Sequence, residues 1–406
     1  MKPTALAIRI RRALLLLLLV WIMASPLYYI EHLFSPSFYM GYDEGVLHKT
    51  VKYVICVFFT LALCLVGRAY SMLLGIMLMI LMSILLVMNR GGLEISTLSI
   101  LITAAMVSFA LVPTIWETEL RRIARIAVYA GTLVGVFSVL ELTILAHLFE
   151  SYWTSTNAIR SISTMFNPNN LGMYTGACLL LLPFIGLRPI PMSVCGALIC
   201  FALIASGSRT AWVSAMVVLG YQFLTSKNLR ISIIRLIRHH TLHLILPAIA
   251  FAAVTAAYQV FNTEMPEIEV ANRGADLYTA SVRVDNFIHF IKAIDIGIFL
   301  PDLVGQRADF IQDNLYLVVL NSFGVIGIIM FLIFFFTHFS LRNSTNPDMA
   351  PWKLIFAFYM LSGMGGSPLN SFPNNQMFFL SLGAVFALNV RSLRRATPPP
   401  PITVGA

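Results

Sequence analysis

Arg209 stands in the run Ser206-Gly207-Ser208-Arg209-Thr210-Ala211-Trp212, and Arg283 lies in a long acidic segment that ends at Asp313-Asn314. A guanidinium is planar, keeps its charge at any physiological pH and grips phosphate oxygens through two parallel N–H bonds. A carboxylate such as Asp313 can take the proton of an attacking hydroxyl, with Asp309 and Asp302 as neighbouring candidates. Fixed cations beside a carboxylate suit a displacement whose leaving group carries phosphate charge, because they stabilise that charge most as it develops. No Asp-x-Asp pair occurs in the segment, which fits a metal-independent reaction, and no cofactor is expected.

The elements that must hold these residues are apolar. The chain has 406 residues, 58% hydrophobic and 11% charged, with mean hydropathy +0.83. That is more apolar surface than a water-soluble core can bury, so the expected class is an all-α polytopic membrane protein. Although the net charge is +9, the basic residues gather at the ends of apolar runs and not along one face, which excludes nucleic acid as a partner and points to topology and lipid headgroups. Cys56, Cys64, Cys178, Cys195 and Cys200 all lie inside apolar runs and read as small hydrophobes.

Runs long enough to span occur near 13–30, 51–67, 69–88, 95–116, 126–149, 170–187, 191–205, 210–225, 241–260, 315–337, 354–366 and 376–390. The last two are short, so ten to twelve spans are expected. With both termini cytoplasmic, the Arg121/Arg122/Arg125 and Lys227/Arg230/Arg235/Arg238 clusters fall inside, and Glu31, Asp43, Glu44, Glu94, Glu150 and the acidic residues of 261–314 fall outside. Arg209 and Arg283 then sit on the outer side, against the rule. The expected organisation is nine spans over 1–260, a large outer loop over 261–314, three spans over 315–390 and a disordered proline-rich tail over 391–406. Within the loop, Val284, Phe287, Ile288, Ile291 and Ile294 recur at helical spacing and predict an amphipathic helix at the membrane interface.

Three further features have a structural reading beside a functional one. Asn167-Pro168-Asn169-Asn170 is good helix-start chemistry, and its amides also suit sugar hydroxyls or phosphate. Ser208 and Arg209 make a tight turn between spans or, as a charge held in a bundle, an anion site. Glu141, inside the fifth apolar run, either bonds a neighbouring helix or lines a polar channel. Asp313 also serves as N-cap for a helix beginning at Asn314.

Asn-Pro-Asn before a mid-chain span, Ser-x-Ser-Arg two spans later, an outer loop with an arginine, the turn from Pro301 to Gly305, a polar pair before Tyr316-Leu317 and Gly324-x-x-Gly327 together resemble the O-antigen ligase and polymerase superfamily. The resemblance covers about residues 160–335. It implies a GT-C-like fold in a bacterial inner membrane and a glycosyltransferase acting at the periplasmic face on a polyprenyl-diphosphate-linked glycan, without nucleotide sugar or metal. By position, Arg209 and Arg283 match the arginines that engage the donor diphosphate, with Asn167, Asn169, Ser208, Asn314 and Glu141 as candidate substrate contacts. Ligases carry His-Asn where this chain has Asp313-Asn314. That departure shifts the expectation from a ligase acting on lipid A-core or protein to a polymerase of O-antigen, capsule or exopolysaccharide repeats. Expected partners are the lipid-linked oligosaccharide, membrane lipid, a flippase and a chain-length regulator. A lipid-linked-sugar flippase is the rival of another class, but no repeated halves are visible.

Overall fold

The structure is a computed structural model. It describes residues 5–33, 117–149, 160–165, 167–225, 288, 314–320, scattered positions over 324–332, 350–368, 371, 373–382 and 384–385. Among them there is helix and no strand. The elements used below are α1 (Ala5–Ala24), α2 (Glu117–Leu142), α3 (Pro168–Leu181), α4 (Pro189–Ala205), α5 (Arg209–Thr225), α6 (315–320), α7 (Ala350–Ser362) and α8 (374–382). The spans expected at 51–67, 69–88, 95–116 and 241–260, and the 391–406 tail, lie outside the described residues, as does nearly all of the 261–314 loop. Within that loop Ile288 is helical and exposed.

α3 is the axis of the bundle. It is apolar all round, with Leu171 to Cys178 buried without interruption, as a helix enclosed on every side must be. It packs against α2, α4, α5 and α7, while α1 lies on α2 and α7 lies on α5. Small residues let the backbones close up. A Cβ on Gly131 of α2 would lie 2.8 Å from Cys178 Cβ, and one on Gly172 would lie 2.6 Å from Ser208 Cβ. Small residues four apart (Gly131 and Gly135, Gly172 and Gly176) are the means by which helices approach closely when no hydrophobic drive separates protein from surroundings. α7 and α8 meet through rings: Phe356 and Phe378 are 5.4 Å apart, and Tyr359 and Phe378 6.1 Å.

Local chemistry shifts several boundaries from the expected spans. The fifth run is not one continuous helix to 149, because α2 ends at Leu142 and a turn over 143–145 follows. There Leu145 N donates to Leu140 O at 2.9 Å, a wider loop than the α-helical pattern. The sixth run starts at Pro168, with Asn167 as N-cap and Pro168 at the first position, and tightens into a 3-10 turn at Leu182–Phe184. The eleventh begins at Ala350 and stops at Ser362, where Gly363-Met364-Gly365-Gly366 leaves the helix. Asn314 caps α6: its Oδ1 accepts from Tyr316 N at 3.0 Å and Leu317 N at 3.2 Å; Asp313, the cap expected from the sequence, lies outside the described residues.

One described helix, over Glu119–Leu142, is long and apolar enough to cross a membrane, and Pro189–Ala205 is a shorter apolar helix. Whole apolar faces point outward. On α5, Val213, Met216, Val217, Tyr221 and Leu224 are each more than half exposed and follow one another at helical spacing.

Candidate functional site

The two ends of the bundle differ in chemistry. At one end Arg125 Nη2 donates to Ile185 O at 3.1 Å, just past the C-terminus of α3, and Arg122 pairs with Glu119 at 3.2 Å. At the other end lie the N-terminus of α3, the start of α5 and Arg209. α3 has 14 residues, so at 1.5 Å per residue about 20 Å separates the two ends.

Arg209 is the first residue of α5 and is exposed. The turn before it is built by Gly207 at φ +60°, a left-handed conformation that favours glycine. Ser206 Oγ accepts from Ser208 N at 3.2 Å, and Trp212 Nε1 donates to Leu203 O at 2.6 Å, which ties α5 back to α4. Ser208 is buried, and its Oγ has no hydrogen-bond partner.

Arg160 lies over this turn. Its Nε donates to Ser206 O at 2.8 Å and its Nη2 donates to Asn169 Oδ1 at 2.9 Å. Asn169 N in turn donates to Asn167 Oδ1 at 2.7 Å, the cap of α3. One guanidinium therefore couples the Asn-Pro-Asn start to the Ser-x-Ser-Arg turn. Sequence reasoning passed over Arg160, although the signal that singled out Arg209 and Arg283 was present there too, a basic residue in a loop assigned to the outer side.

Two more helix starts join the group through the 363–376 segment. Asn374 Nδ2 donates to Asn170 O at 3.0 Å while its Oδ1 accepts from Tyr359 Oη at 3.2 Å. Asn314 Nδ2 donates to Met364 O at 3.2 Å and Leu315 N to Gly363 O at 2.7 Å. Gly365 sits against Thr210 in the first turn of α5, where a Cβ would collide with it. The N-termini of α3, α5, α6 and α8 thus gather at one end, each bringing the partial positive charge of its dipole, while the first-turn N–H groups of α6 and α8 are already bonded within the chain. Ser367 Oγ and Asn375 Nδ2 are buried there without hydrogen-bond partners. Pro373-Asn374-Asn375 repeats the Pro168-Asn169-Asn170 pattern, a likeness visible in the sequence alone.

Glu141, near the end of α2, is fully buried. Its carboxylate accepts from Ser161 Oγ at 2.6 Å, Ser163 N at 2.6 Å and Ile162 N at 3.1 Å, so its hydrogen bonds go to a loop and not to a neighbouring helix. Of the expected site residues, Arg209, Ser208, Asn167, Asn169 and Asn314 come together at this end, and Glu141 reaches them through the loop that carries Arg160. Arg283 and Asp313 lie outside the described residues. Among the described residues no group of His, Cys, Asp and Glu is suited to a metal ion. No protein-family model, curated protein or solved structure matches this chain.

Proposed function

We propose that this chain is a multi-pass bacterial inner-membrane glycosyltransferase of GT-C-like architecture, with about twelve spans, that polymerises polyprenyl-diphosphate-linked repeat units at the periplasmic face. The observation that carries the reading is the gathering of four helix N-termini with Arg209 and Arg160 at one end of the bundle, opposite the Arg121/Arg122/Arg125 cluster. Helix starts and guanidinium groups both favour an anion, and a diphosphate offers enough oxygens to use several of them. The outward apolar faces of α5 and α4 fit lipid as the surrounding solvent.

In this reading a sugar hydroxyl of the acceptor attacks the anomeric carbon of the donor glycan. The bond from that carbon to the diphosphate oxygen breaks, the polyprenyl diphosphate leaves with the electron pair, and the hydroxyl proton passes to a carboxylate, for which Asp313 is the candidate. Arg209, with Arg283 from the outer loop, holds the leaving diphosphate. Because charge on that group is greatest late in the step, fixed donors lower the barrier more than they strengthen ground-state binding.

The test is genetic and chemical. A deletion strain of a polymerase accumulates single lipid-linked repeats and carries at most one repeat on its surface acceptor. Complementation with Arg209→Ala should reproduce that profile at normal protein abundance, and Arg209→Lys should restore part of the polymer, since an ammonium is a point charge without the fork. Long polymer retained on its lipid carrier in the deletion strain would instead identify a ligase. Full polymer from Arg209→Ala would remove Arg209 from the chemistry.

A further inference from the structure

The loop over 160–165 is held more firmly than a connection requires, and one buried carboxylate does most of the holding. Glu141 accepts three donors from three successive residues of it, Ser161 Oγ, Ile162 N and Ser163 N. Ser163 has φ +51°, and among the described residues it is the non-glycine with a left-handed backbone. Such a conformation persists when its surroundings over-determine it, and strain of this kind gathers where geometry serves function. Here Ser163 Oγ donates to Val134 O at 2.8 Å, Thr164 Oγ1 donates to Pro26 O at 2.5 Å, and Ser161 N donates to Ala205 O at 2.9 Å. The loop is thereby tied to α2, to the turn after α1 and to the end of α4.

What this fixed loop presents is Arg160. Immediately before Ser161, it bridges Ser206 O and Asn169 Oδ1, and so ties the first turn of α3 to the turn at 206–208 that leads into α5. We propose that Glu141 is a positioning residue: its carboxylate locks the strained turn at 161–165, and through Arg160 that turn holds the starts of α3 and α5 at the separation the donor diphosphate requires. This rests on the diphosphate reading given above. Both carboxylate oxygens are engaged and the side chain has no exposed surface, so it acts through the loop and not by touching substrate.

The bond pattern distinguishes a positioning role from a role for the charge itself. Oε2 receives Ser161 Oγ, Ser163 N and one branch of the Ile162 N bond, and Oε1 receives only the other branch. A glutamine with its amide oxygen at the Oε2 place still accepts from Ser161 Oγ, Ser163 N and Ile162 N, although its NH2 then faces Ile162 N where Oε1 stood, whereas alanine leaves all three donors buried and unpaired.

The experiment uses the full chain in lipid nanodiscs, with undecaprenyl diphosphate as the binding probe and amide hydrogen exchange as the structural readout. Glu141→Ala should speed exchange over 161–165 and 206–210, leave the α7 peptide unchanged, and weaken binding about tenfold or more. Glu141→Gln keeps the three accepting bonds but adds buried amide N–H groups, so it should lie between wild type and alanine in both readouts, with loop protection and binding moving together. Should Glu141→Ala fail to accumulate, Ser161→Ala removes one donor and should still speed exchange in the loop; unchanged exchange there would overturn the proposal. It is overturned as well if Glu141→Ala leaves the loop protected, or if Glu141→Gln keeps the loop protected yet loses binding as far as alanine does. A wild-type protein that does not bind the probe, together with a loop that loosens in Glu141→Ala, would defeat the diphosphate reading while upholding the dependence of the turn on Glu141.

Discussion

Single atoms decide how close the site's two halves come. Gly172, at the start of the second turn of α3, has room for no side chain, since a Cβ would lie 2.6 Å from Ser208 Cβ and 2.8 Å from Ser206 Oγ. Ser208 Cβ is fixed to its own backbone and cannot swing aside. Gly172→Ala gains up to about 1 kcal/mol of helix propensity, but overpacking of this kind costs about 1–3 kcal/mol. The expected outcome is a lower midpoint in thermal unfolding of the detergent-solubilised chain, together with loss of activity as α5 is pushed off α3. An unchanged midpoint would mean that the turn at 206–208 yields readily. Arg160 belongs to this scale too: its bonds to Asn169 and Ser206 join two motifs from opposite ends of the α3–α4 hairpin.

For whole elements the question is where each helix begins. Asn314 caps α6 with Oδ1 and reaches Met364 O with Nδ2, so both ends of its amide are used. Replacing it with alanine should cost about 1 kcal/mol, the usual loss for a cap. Asn314→Asp keeps the capping oxygen and adds a charge that suits a helix N-terminus, so stability should hold near wild type. If these helix starts hold the proposed diphosphate, a carboxylate placed among them repels it. Stable protein with strongly reduced transfer is therefore the expected result, read by melting and by polymer length in the same preparation. If Asn314→Asp transfers as well as wild type, the end of α6 lies away from the donor.

Across the whole molecule, Arg125 and Arg209 lie at opposite ends of α3, and the proposed topology puts the Arg125 end in the cytoplasm and the Arg209 end outside. Reporter fusions test it directly. Fusions after Arg125 and after Arg238 should report cytoplasm, and a fusion near Glu267 should report periplasm. A cytoplasmic signal at Glu267 would turn the candidate site to the wrong side of the membrane and exclude a lipid-linked donor there.

Much of the frame was legible in the sequence because it depends on local chemistry. Apolar runs without strand periodicity predict helices, and Asn167 before Pro168 predicts the start of α3, since an amide oxygen must meet N–H groups that lack a partner in the first turn. The sequence also marked Arg209, Ser208, Asn167, Asn169 and Asn314, whose types suit polar contacts wherever they fall. Only the tertiary structure decided that they meet. No residue count reveals that Asn374 bonds Asn170 across 204 positions, that Arg160 joins two motifs, or that Glu141 spends its carboxylate on 161–163. The break in the fifth run, where Glu141 bonds the loop at 161–163, has the same origin. Helix ends are set by competition among neighbouring hydrogen-bond partners, and those partners arrive from other helices only once the bundle has closed.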